Sequence, residues 1–96
     1  MLEQFVVEDP TDPFNHYALA LELAKSDKQK AKEVFDRLIV SNSEYVPAYY
    51  QAALLYLELS LNDEVTKIIK TGIVQAKKQD NLKAVSELRS LLDDIE

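Results

Sequence analysis

Two segments constrain this chain more than any other feature: YALALELA at 17–24 and YQAALLYL at 50–57, each a tyrosine followed by small residues and leucines. Tyr17 and Tyr50 stand 33 positions apart, as do Ala20 and Ala53, while Ala31 and Val65, and Phe35 and Ile69, stand 34 apart. A period of this size marks a recurring helix–turn–helix unit that cannot bury its apolar face alone and must stack on its neighbour. The one-residue change in offset falls in the connection inside the unit, where AKSDKQKA is shorter than LELSLNDEV. Connections tolerate such changes far better than helices do.

The units read as helical because strand and turn signals are scarce. The chain has one glycine and three prolines, and two of those prolines lie in DPTDP at 9–13. Phe14, Tyr17, Ala18, Ala20 and Leu21 follow the spacing of a first amphipathic helix, with Asp12 as its N-cap and Pro13 in its first turn. Ser26 with Gln29 three residues on predicts a capping box, and Ala31, Val34, Phe35, Leu38 and Ile39 form the stripe of a second helix to about Ser41. SNSEYVP at 41–47 is a break, and Pro47 opens a third helix carrying Tyr49, Ala52, Ala53, Tyr56 and Leu57. Asn62 is the expected cap of a fourth, with Val65, Ile68, Ile69, Gly72, Ile73 and Ala76 inward, Asp63 and Glu64 at its positive end and Lys77 and Lys78 at its negative end. QDN at 79–81 starts a last helix with Leu82, Val85, Leu88, Leu92 and Ile95 on its stripe and a DDIE tail expected to fray. Near the start, Leu2, Phe5 and Val6 have helical spacing and predict a short docked helix.

Composition narrows the functional classes. Ninety-six residues, 47% hydrophobic and 29% charged, suit one self-folding soluble domain. With no cysteine there is no disulfide framework, thiol nucleophile, zinc–thiolate or iron–sulfur site. The most apolar run, YVPAYYQAALLYL at 45–57, is too short to span a bilayer, and the acidic start MLEQFVVEDP is unlike a secretory signal, so a cytoplasmic location and no membrane partner are expected. A net charge of −6 repels phosphate backbones, so nucleic acid is not an expected partner.

The repeat resembles the tetratricopeptide repeat family, whose unit runs about 34 residues. In the second unit the family pattern falls on Tyr49, Ala52, Ala53 and Tyr56, then Ser60 at the turn glycine, Val65, Ile69 and Gly72. In the first it falls on Leu19, Ala20, Leu23, Ala31 and Phe35, with His16 where the large aromatic would stand. The layout DPFNHYALA…YVPAYYQ also resembles a small bacterial group of two-repeat proteins. The resemblance implies an all-α, right-handed superhelical array of helix–turn–helix repeats with about five helices plus the short N-terminal one. Its expected parts are an extension at 1–12, repeats at 13–43 and 44–78, and a capping helix at 79–96.

The resemblance further implies a non-catalytic protein–protein interaction module or scaffold, with no cofactor, that binds a peptide or partner helix on its concave face or self-associates as a homodimer. Carried onto this chain, the partner-facing positions are Phe14, Tyr17 and Leu21 in the first repeat and Tyr50, Leu54 and Leu57 in the second, with Ala24, Lys25, Pro47 and Glu58 beside them. Leu21 and Leu54 occupy the position of the asparagine with which some members grip a terminal carboxylate, which argues against such a clamp here. The face is either open to a partner or already filled by Leu2, Phe5 and Val6 or by the last helix. Two alternatives stand beside this reading. Asp12 and His16, one turn apart, could serve metal binding or catalysis, though no third ligand or nucleophile stands nearby, and the commoner reading of such a histidine is a surface residue. Lys67, Lys70, Lys77 and Lys78 share a face with Val74 and could touch an acidic partner or, weakly, nucleic acid, although like-charged outer faces are usually just solvated.

Overall fold

The computed structural model describes residues 11–96. These residues form five α-helices and no strand: α1 Pro13–Leu23, α2 Lys28–Ser41, α3 Pro47–Glu58, α4 Asn62–Lys78 and α5 Leu82–Ile95. The chain divides into two compact units, Met1–Ser43 and Glu44–Glu96. In the first, α1 packs on α2; in the second, α4 packs on both α3 and α5. The helix expected around Leu2, Phe5 and Val6 lies outside the described residues.

In the first unit, the Asp12 carboxylate accepts the Phe14 N–H at 2.9 Å and Pro13 sits in the first turn of α1, as the sequence predicts. The cap of α2 differs from expectation. The Ser26 and Asp27 N–H groups both still donate to the Leu23 carbonyl, at 3.0 and 2.6 Å, and it is at Asp27 that the backbone turns extended (φ −148°, ψ 88°). Asp27 therefore caps α2, accepting the Lys30 N–H at 3.2 Å. Ala31, Phe35 and Leu38 are buried along α2, with Val34 and Ile39 half-covered beside them.

The second unit is built around α4. Val65, Ile69, Gly72, Ile73 and Ala76 are buried on it, facing the buried Tyr49, Ala52, Ala53 and Tyr56 of α3 and Leu88 and Leu91 of α5. Gly72 marks the closest approach. A Cβ there would lie 2.7 Å from Tyr49 Cβ, 2.9 Å from Tyr49 Cγ and 3.0 Å from Leu88 Cδ1, so any larger residue collides with two neighbouring helices. A hydrogen bond from Gln79 Nε2 to the Glu44 carbonyl, 2.7 Å long, ties the end of α4 back to the start of the unit.

Both joints of this unit are Schellman turns without glycine. Ser60 (φ 60°) and Asp80 (φ 54°) adopt the left-handed conformation. The Leu61 N–H reaches back to the Tyr56 carbonyl and the Asn81 N–H to that of Ala76, each at 2.9 Å. This geometry moves the start of α4 one residue from expectation. Leu61, committed to the turn, also offers its carbonyl to the Val65 N–H at 3.0 Å, so Asn62 is the first helical residue and not the cap. At α5, which the QDN segment opens, Asn81 is the cap, accepting the Ala84 N–H at 3.2 Å.

The α5 stripe is corrected at one end. Leu82 is 74% exposed, and Leu91 is buried in addition to Leu88. Six residues of helix turn through 600°, which leaves Leu82 about 120° off the face of Leu88, whereas Leu91 is only about 60° off. The tail expected to fray is helical through Ile95, with the Glu96 N–H on the Leu92 carbonyl at 3.0 Å.

Three substitutions test these features. Gly72→Ala gains about 1 kcal/mol of helix propensity, but overpacking costs about 1–3 kcal/mol. The atoms it meets form the root of a fully buried ring and cannot swing aside, so a net loss of about 1–2 kcal/mol is expected in urea unfolding. Asp27→Ala is expected to lose about 1 kcal/mol in the same measurement, and Ser26→Ala less than about 0.5 kcal/mol.

Candidate partner-binding faces

Phe14, Tyr17 and Leu21 recur at helical spacing and share one face of α1. Phe14 is 57% exposed, while Tyr17 and Leu21 are half-buried. Burial raises the Tyr17 phenol above its ordinary pKa, holding it as a neutral hydroxyl able both to donate and to accept a hydrogen bond. In the second unit Tyr50, Leu54 and Leu57 likewise share one face of α3, and all three are half-buried. The other side of that helix, carrying Tyr49, Ala52 and Tyr56, is fully occupied by the core. Beside these faces Ala24 is half-buried, Pro47 and Glu58 are exposed, and Lys25 is paired with Glu22 at 3.3 Å.

Asp12 and His16 have separate surroundings. The Asp12 carboxylate is engaged as the cap of α1, while half-buried His16 lines a cavity of about 480 Å³ in the first unit. Leu19, Val34 and Leu38 form its apolar wall and Thr11, Arg37, Ser41 and Asn42 its polar one. Among the described residues no group of three or more His, Asp or Glu side chains could hold a metal ion. His16 matches Tyr49 in the repeat and Leu38 matches Gly72, so the large ring seated on a glycine is replaced by a smaller ring beside a leucine. The signal lay in the sequence as a paired change, at positions that sequence reasoning treated singly.

Of the other exposed apolar side chains, Val40 at 84% exposure has no place in the sequence reading, whereas Val74 at 51% lies outward with the lysines as expected, and Leu82 at 74% departs from the expected stripe. No helix among the described residues is long and apolar enough to cross a membrane.

Helical hairpins recurring at 33 or 34 residues, with small residues at the helix contacts and bulky ones between, define an all-α helical-repeat protein. The solution NMR structure of a tetratricopeptide repeat domain protein from Salinibacter ruber is 35% identical, with a TM-score of 0.86 over 92% of this chain and 90% of that one. A crystal structure of a tetratricopeptide repeat domain protein from the same organism is 32% identical, with a TM-score of 0.83 over 88% of this chain and 96% of that one. No family model and no curated protein matches. The chain belongs to the tetratricopeptide repeat family.

The buried tyrosines predict the alkaline limit of stability. Tyr49 is raised above the ordinary value of 10.0 by burial and then by the Glu44 carboxylate, and Tyr17 by burial alone. A phenol whose pKa is higher in the folded state stabilises fully below its unfolded pKa, and that contribution is lost as pH rises through the folded value. Stability should hold up to about pH 10 and fall beyond it. Tyr49→Phe should reduce the fall, as read by urea unfolding at stepped alkaline pH.

Proposed function

We propose that this protein is a non-catalytic interaction module that takes a peptide or partner helix, or a second copy of itself, against the outward faces of α1 and α3. The supporting observation is the set of partly uncovered apolar and tyrosine side chains on these helices, above all exposed Phe14 and half-buried Tyr50, Leu54 and Leu57. Aromatic side chains with a hydroxyl handle supply contact area and orientation together, which is why they dominate the energetics of many interfaces. With Leu21 and Leu54 in place of a clamp asparagine, the partner is read by apolar contact and not by its terminal carboxylate.

The test pairs Tyr50→Ala with Leu54→Asp in a chain whose helicity is confirmed by circular dichroism. Loss of two central contacts should weaken the association at least about tenfold. Affinity capture from the native extract reads the partner, and sedimentation reads the homodimer. An unchanged set of captured proteins together with an unchanged mass would overturn the proposal.

A further inference from the structure

Helix α4 turns outward a face that the proposed function leaves unused. Lys67, Lys70, Lys77 and Lys78 are all exposed and, taken with Val74, recur at three- and four-residue steps, opposite the stripe of Val65, Ile69, Gly72 and Ala76 that faces the core. Val74, 51% exposed, lies between them. The Thr71 hydroxyl beside it donates to the Lys67 carbonyl at 2.9 Å, so it is engaged with its own helix. Outside α4, Lys25 pairs with Glu22 at 3.3 Å and Lys32 with Asp36 at 2.7 Å, while Lys30 and Lys83 are exposed singly on other helices. The four ammonium groups on α4 make no ion pair with any described residue, although Asp63 and Glu64 stand four and three positions before Lys67 and the chain has 17 acidic residues. Four of the eleven basic residues are thus gathered, unpaired, on one helix of an acidic protein.

From this arrangement we infer that the outer face of α4 is a docking surface for an acidic amphipathic helix of a partner protein. Its carboxylates would recur about one turn apart, and one apolar residue would sit over Val74. The stripe from Lys67 to Lys78 runs about 16 Å, the length of about three helical turns. Charge complementarity selects the sign of the partner, and the isolated apolar side chain sets its position along the stripe. A polyanionic backbone is a poorer fit, because the net charge of −6 repels it and no aromatic residue lies between Lys67 and Lys78 for bases to stack on. Within its own unit this surface is separate from α3, which packs against the opposite, core side of α4.

The probe is a synthetic helical peptide with glutamates at turn spacing and one central leucine, compared with the same peptide carrying glutamine in place of the leucine. The leucine peptide is expected to bind in low salt and to weaken as salt rises. Lys70→Glu with Lys77→Glu should weaken it at least about tenfold, while arginine at all four positions keeps binding. Val74→Ser should lower affinity for the leucine peptide to that for the glutamine peptide. The lysines and Val74 are exposed, so these changes leave the core intact. The inference is overturned if the leucine peptide fails to bind at low salt, if the charge reversal leaves binding unchanged, or if duplex DNA or phosphatidylserine vesicles bind more tightly than the peptide.

Discussion

The close approach of α4 to the root of Tyr49 is the contact on which the second unit depends. Gly72 removes the one side chain that would hold α4 away, and the space is taken by Tyr49 from one side and Leu88 from the other. Three helices therefore meet at one residue without a gap, and burial of Tyr49, Tyr56, Ile69 and Leu88 follows from that convergence. Interiors at this density leave little room for sliding, so the contact sets the register of α3 and α5 against α4 as well as their distance. The helix accepts an unfavourable residue in its middle because the packing gained outweighs the propensity lost.

The helix ends show how local hydrogen bonds and global packing agree. Asp12, Asp27 and Asn81 each take an N–H that a starting helix leaves unpaired, and Ser60 and Asp80 close α3 and α4 through backbone bonds alone. With the backbone satisfied at short connections, the remaining side chains are left for surfaces. Those surfaces have opposite chemistry: apolar and tyrosine-bearing on α1 and α3, cationic on the outside of α4.

Much of this was legible in the sequence because helix period and repeat period reinforce each other. Ala31, Phe35, Val65, Ile69 and Gly72 stood out as core from spacing alone, and each is buried. What escaped reading was decided by geometry that spacing does not carry. Ser26 and Asp27 are equally able to cap by composition, and the choice fell to the residue whose backbone turns extended before the next helix. Leu82 looked inward because two steps of three were counted as if each returned to the same face. Ser60 and Asp80 hold left-handed turns without the residue type that normally advertises one, so the shape persists where the pattern has lapsed. The faces of α1 and α3 were readable as positions, but what covers them leaves no trace in periodicity.

The contrast between Tyr49 on Gly72 and His16 near Leu38 bears on how such a chain could lengthen. Two hairpins with one outline are matched internally in two different ways, so their helices are not exchangeable parts. A hybrid joining α3 to the sequence of α2 would set the tyrosine against leucine, and the reverse hybrid would leave the glycine facing a ring too small to reach it. Exchange of a whole hairpin, by contrast, keeps Tyr49 with its glycine and leaves only the contact with Leu88 of α5 to be matched.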